Sequence, residues 1–251
     1  MKKILTAAAL SAVLLFGQTA AAEEKAAEDV KPSHVEMVLV LDESGSMSHL
    51  TNDTIGGFNS MIEKEKKLNV DAHVTTVLFS DQYKMLYNRR NLRDIGMMTD
   101  KDYTPGGMTA LLDAVGRTIH KMDMVANIHR KDKGNKVLFV IITDGEENDS
   151  REYTYSDIKK LIKERQEESG WEFIFLGANI DAGAEAENLG INSNHAVKYK
   201  NTGSGVRANF MAVAEVSDSL AKSGEMSDSW KEQVEKDNDQ AKDRQNTDVI
   251  F

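Results

Sequence analysis

Apolar residues in this chain come in two rhythms. One is the uninterrupted run: VEMVLVL at 35–41, AHVTTVLF at 72–79, KVLFVIIT at 136–143, WEFIFLGA at 171–178 and HAVKYK at 195–200. These runs read as strands, and the lack of any polar alternation in KVLFVIIT marks a strand covered on both faces. A shorter and more polar run, YKMLYN at 83–88, suits the edge of a sheet. The other rhythm is helical. It marks NDTIGGFNSMIEKEKKL with Asn52 or Asp53 as cap, ALLDAVGRTIHKM, YSDIKKLIKERQEE, DAGAEAENLG capped by Asp181 and stopped by Gly190, and GVRANFMAVAEVSDSLAK. Strands alternating with helices predict an α/β fold. Its doubly wound, mostly parallel sheet has helices on both faces and one short antiparallel edge strand.

The ends read differently. Lys2 and Lys3 precede an apolar run from Ile4 to Phe16, and small residues follow at Ala20 and Ala22. That order is a secretory signal peptide over 1–22, cleaved after Ala22. The run is too short to serve as a stable membrane anchor. Residues 23–34 form a charged, Ala-rich leader, the folded domain spans 35–221, and 222–251 is a polar tail, either disordered or loosely helical. In that tail Trp230 and Val234 lie four apart, as an anchoring pair on a helix would. Two lysines at the head of a short signal point to a bacterium, and the mature protein is expected in the periplasm or secreted.

Composition narrows the partners. The formal net charge is -10 over 251 residues, which argues against nucleic acid and against anionic lipid surfaces. The chain has no cysteine, so an exported domain must rely on its core and not on disulfides.

The chemistry concentrates at strand ends. Asp42 closes the first strand, and Ser44 and Ser46 follow at alternate positions. Asp144 closes KVLFVIIT. In a doubly wound sheet those two strands are neighbours where the strand order reverses, and ligands bind beyond the carboxyl ends at such a point. A third segment, TPGGMTALL, brings Thr109 to the start of a helix. Singly, each piece reads as an ordinary turn or cap. Together they are two carboxylates and three hydroxyls, all hard oxygen donors that suit Mg²⁺ or Mn²⁺, with Ca²⁺ as an alternative, over zinc or copper. Five protein groups around a six-coordinate ion leave room for an outside oxygen.

DESGS, GGMT and TDGEEN resemble the three parts of the metal-ion-dependent adhesion site of von Willebrand factor type A domains. The resemblance assigns Asp42, Ser44 and Ser46 to the first part, Thr109 to the second and Asp144 to the third. It covers roughly 35–221 and implies a protein-binding module that engages an Asp or Glu of a partner protein through the ion. Further stretches, among them TALLDAVGRTI and GWEFIFLGANIDA, resemble small stand-alone bacterial members. Those usually lack an export signal, and here the signal decides the localisation.

Two other functions compete: a metal-dependent phosphoester hydrolase, and a scaffold whose ion only stiffens loops. The motif loops offer no His, Lys or Cys placed as base or nucleophile, so the chain reads as a non-enzyme. The six histidines, His34, His49, His73, His120, His129 and His195, show no zinc-type spacing. The acidic run Glu146, Glu147, Asp149 reads as a solvated loop, and the twelve methionines, Met97 and Met98 among them, as core filler.

Overall fold

The structure, a computed structural model, describes residues 34–129 and 135–239. The expected signal peptide and most of the leader lie outside them. His34, the last leader residue, opens the first strand.

Six strands form one sheet: β1 (His34–Asp42), β2 (Ala72–Phe79), β3 (Tyr83–Asn91), β4 (Asn135–Thr143), β5 (Glu172–Gly177) and β6 (Ala196–Lys198). Their spatial order is β3-β2-β1-β4-β5-β6. All neighbours are parallel except β3, which runs antiparallel to β2 at the edge. The doubly wound α/β architecture expected from the runs is therefore present, with β1 and β4 side by side at the reversal.

Five helices cover the sheet: α1 (Thr51–Leu68), α2 (Leu111–His129), α3 (Tyr155–Ser169), α4 (Ala182–Leu189) and α5 (Gly203–Ser223). The period of two along β1 and β4 splits the core into two layers. Met37, Leu39, Leu138, Val140 and Ile142 face α1 and α5. Val38, Val40, Phe139 and Ile141 face the layer of α2, α3 and α4. Both faces of β4 are thus buried, which accounts for its unbroken apolar run. Each fully buried large side chain contributes roughly 1.5–3 kcal/mol of transfer free energy. The α1–α5 contact is close: a Cβ on Gly57 would lie 2.5 Å from the Phe210 ring, so only glycine permits this approach.

Caps follow the sequence with one exception. Asp181 accepts from Ala184 N at 3.1 Å, and Gly190 ends α4 at φ +89°. α1, however, is capped by neither Asn52 nor Asp53. A 3-10 turn (Gly45–Leu50) runs straight into it, Leu50 is the cap residue, and Asp53 lies in the first turn, paired with Arg207. The polar pair was a poor guide here because the preceding turn already supplies helical geometry.

Beyond α5 the chain stays attached. Gly224 ends α5 in the left-handed region, residues 232–239 are helical, and Trp230 and Val234 are buried in the layer of α1 and α5. Lys200 Nζ donates to the Asp237 carbonyl at 3.1 Å.

One buried carboxyl sits in that layer. Glu65 on α1 accepts from Ser217 Oγ on α5 at 2.7 Å, and its other oxygen is buried without a partner. Burial pushes its pKa up to about 7, with Ser217 opposing and Asp218 adding to the rise. The folded state thus holds a proton that the unfolded chain releases near 4.5, so stability falls as pH rises from about 4.5 through about 7. Glu65→Gln removes this loss. Its stability should exceed that of the parent by a margin that grows across this window and levels off above it, at about 3 kcal/mol or less. Melting curves at pH 5 and 8 that show a constant margin would contradict the assignment.

Candidate metal centre

Parallel pairing of β1 with β4, in which Leu41 is opposite Ile142, brings the next residues of both strands to one point at the carboxyl ends. Asp42 and Asp144 are there, 1% and 2% exposed. Neither has an ion pair among the described residues, and the charge of Asp144 helps to raise the Asp42 pKa. Burial is the larger cause of that rise, and hydrogen bonds from Ser44 and Thr143 oppose it.

Asp42 is held from both sides: Ser44 N donates to Oδ1 at 2.7 Å and Thr143 Oγ1 to Oδ2 at 2.6 Å. In front of it lies a continuous chain of oxygens. Ser44 Oγ and Ser46 Oγ are 3.0 Å apart, and Ser46 Oγ donates to Asp144 Oδ1 at 2.5 Å. Adjacent ligands around an octahedral ion with bonds of about 2.1 Å are separated by about 3 Å, which the Ser44–Ser46 spacing matches, while the shorter Ser46–Asp144 hydrogen bond would have to lengthen to admit the ion. Thr109 joins from a third loop. Its backbone N–H donates to Asn148 Oδ1 at 2.8 Å, and its hydroxyl and that of Ser46 each lie 3.9 Å from where a Cβ on Gly145 would stand. The structure therefore gathers all five sequence-derived residues at one pole. Ser44 and Thr109 are buried, and Ser46 alone is exposed, at the mouth.

Several supporting residues were not found from sequence. Asn201, just past β6, donates Nδ2 to Asp144 Oδ2 at 3.1 Å and keeps its own Oδ1 buried without a partner. Asn179 donates to the Asp144 carbonyl at 3.2 Å. Tyr103 donates its hydroxyl to the Asp42 carbonyl at 2.6 Å, and Tyr199 donates to the Thr143 carbonyl at 3.2 Å. Burial pushes both phenols up, and the carboxylates beside them add to it, so both stay neutral donors. Asn179, Tyr199 and Asn201 sit far from the motif in the chain, and only the register of the sheet brings them in, whereas Tyr103 directly precedes the TPGGMT segment and its part is hidden by its burial.

Three expectations are corrected. Glu147 is not a solvated loop residue. Its carboxylate accepts from the backbone N–H groups of Asp149, Ser150 and Leu112 and from Ser150 Oγ, tying the loop to the start of α2. Met98 is core, but Met97 is 60% exposed. The histidines do form a constellation: His34 and His73 lie 2.8 Å apart beside Glu36. Their separation in sequence conceals it, because the contact crosses from β1 to β2.

Comparison with known proteins bears on the family and the fold. The family model of the von Willebrand factor type A domain matches residues 36–210. No curated protein matches the chain. Among solved structures, proximal thread matrix protein 1 from the mussel byssus is 13% identical with a TM-score of 0.51, covering 74% of this chain and 47% of its own. The PilB minor pilin from Streptococcus sanguinis is 14% identical with a TM-score of 0.56, covering 76% and 63%. The pilus adhesin SpaC from Lactobacillus rhamnosus GG, in its open conformation, is 14% identical with a TM-score of 0.58, covering 77% and 31%. The chain thus spans less than two thirds of each of these structures, and at such identities they speak for the fold alone. With the family model matching well over half its length, the chain belongs to the von Willebrand factor type A domain family.

Proposed function

We propose that Asp42, Ser44, Ser46, Thr109 and Asp144 hold one divalent cation, Mg²⁺ or Mn²⁺ with Ca²⁺ weaker, and that the protein is an exported, non-catalytic module that binds a partner protein through it. The observation that carries this reading is electrostatic. Two carboxylates are buried together with no cationic side chain paired to them among the described residues, an arrangement that costs free energy unless a cation joins it. The donor set fits a hard ion: every contributed atom is oxygen, and the buried, unpartnered Oδ1 of Asn201 stands close by. No bidentate Glu of the kind that favours Ca²⁺ is among the five. When bound, the cation offers an electrophilic point to a carboxylate of the partner.

The von Willebrand factor type A domain is a general protein-interaction module. Here the mouth is formed by Ser46, with His49 and the 52%-exposed Met108 on loops nearby. Tyr103 is fully buried beneath and supports Asp42 without reaching the surface. The protein's own negative charge disfavours an acidic partner surface, by about 1 kcal/mol per like-charge pair at contact in water and screened within roughly 8 Å. The partner is therefore read as presenting one Asp or Glu amid neutral or basic surroundings. Export rests on the signal-like 1–22 segment. Consistent with it, no helix among the described residues is long and apolar enough to cross a membrane, and the fold is shared with a minor pilin and a pilus adhesin.

Metal binding, partner capture and export are each open to test. Mg²⁺ at a hundredfold excess over its dissociation constant should stabilise the protein by about 2.7 kcal/mol. Asp144→Ala and Asp42→Ala should lose that gain in melting curves while keeping the parent circular dichroism spectrum. An Asp42→Ala protein that binds Mg²⁺ undiminished in calorimetry refutes the site. Partner captured from envelope extracts should release in excess chelator, return with Mg²⁺ or Mn²⁺, and be weakened by Thr109→Ala. Retention in chelator favours the scaffold reading, and Asp42-dependent phosphoester hydrolysis the enzymatic one. N-terminal sequencing of the product from a bacterial host should start at Glu23 in a soluble envelope or secreted fraction, and an intact Met1 in membranes contradicts export.

A further inference from the structure

A second constellation lies at the opposite pole of the sheet. Asp42 ends β1, and His34 begins it, eight residues and about 26 Å away along the strand. Glu36, two residues on, projects from the same face as His34. The parallel register sets Glu36 opposite His73 on β2. The three side chains converge: His34 Nε2 to Glu36 Oε1 is 3.3 Å, His73 Nδ1 to the same oxygen 3.5 Å, and His73 Nδ1 to His34 Nε2 2.8 Å.

We propose that His34, Glu36 and His73 form a second cation site, chemically distinct from the first, for a borderline transition ion of the Zn²⁺ class. Two imidazole nitrogens and one carboxylate oxygen select Zn²⁺ over Mg²⁺. A tetrahedral ion with bonds of about 2.0–2.1 Å has ligands about 3.4 Å apart, and the three separations bracket that value closely enough that small ring rotations complete the face. The other nitrogen of His34 is already fixed: Nδ1 lies 3.2 Å from Asp71 Oδ2, so a carboxylate orients the ring and leaves Nε2 facing the cluster. The histidine side chains are 18% and 32% exposed, which leaves a fourth position open to solvent. Arg89 is the competing group. Its Nε donates to Glu36 Oε2 at 2.9 Å and its Nη2 pairs with Oε1, so the ion shares Oε1 with a guanidinium and binds less tightly than in an all-protein tetrahedral cage.

The test is titration of the full chain with ZnCl₂ against a zinc indicator, in Mg²⁺ sufficient to fill the first site. One equivalent of Zn²⁺ should bind and raise the melting temperature, and Co²⁺ in its place should show the visible absorption of a tetrahedral ion. Asp71→Asn, at an exposed position that leaves the fold intact, should weaken Zn²⁺ about tenfold. His34→Gln and His73→Gln should weaken it further, and Asp144→Ala should leave it unchanged. Zinc affinity that is unaltered in His73→Gln and Asp71→Asn, or that is lost in Asp144→Ala, overturns the proposal. So does the absence of a stoichiometric equivalent in the parent. If a histidine variant fails to melt cooperatively, the Asp71→Asn affinity decides alone.

Discussion

Asp42 and Asp144 repel one another from the ends of adjacent parallel strands, in a place where water cannot screen them. Much of what surrounds them manages this repulsion. Ser44 N and Thr143 Oγ1 donate to Asp42, and Ser46 Oγ and Asn201 Nδ2 donate to Asp144. Tyr103 and Tyr199 hold the carbonyls of the two strand ends and so fix where the carboxylates stand. Donors arranged this way keep each carboxylate in place but do not neutralise it. The arrangement depends on the β1–β4 register: a slip of one residue would send Asp42 or Asp144 to the other face, and the oxygens would no longer meet.

The other pole treats a buried carboxylate in the opposite way. Burial would raise the Glu36 pKa, but the hydrogen bonds from Arg89 and His34 outweigh it and bring it to about 2. Glu36 thus carries its own counter-charge, and Asp42 and Asp144 carry none. The same sheet therefore presents a satisfied anion at one end and an unsatisfied pair at the other. Two donor sets of different hardness follow, oxygen only at the carboxyl ends and nitrogen-rich at the amino ends.

The fold was legible because its signals are local. The unbroken run at 136–143 is what a strand covered on both sides looks like, and Asp181 and Gly190 bracket α4 by their own chemistry. The oxygen motif was legible for the same reason, since Asp42, Ser44 and Ser46 sit within five residues. The supporting groups were not. Asn179 and Asn201 enter from loops after β5 and β6, and no periodicity in their segments marks them. The His34–His73 contact depends on which residue of β1 pairs with which of β2, and hydrophobic pattern does not fix that pairing. The α1 cap departs from the Asn52–Asp53 signal because the 3-10 turn before it replaces the side-chain cap with backbone geometry.

The segment recognised by family likeness and the segment that folds have different ends. The family match stops at residue 210, little more than a third of the way along α5, whereas the layer against α1 is completed by Val213, Leu220, Trp230 and Val234. A protein trimmed to the recognised limits would expose the α1 face and the sheet beneath it, and would present the wide apolar patch that drives association in place of a closed surface. Proteolysis in the turn at 224–229 would touch a smaller part of that layer: it leaves α5 in place and breaks only the link to Trp230 and Val234. That turn thus acts as a clasp: while it is intact, Trp230 and Val234 stay tethered against the layer of α1 and α5 and keep its apolar side chains covered.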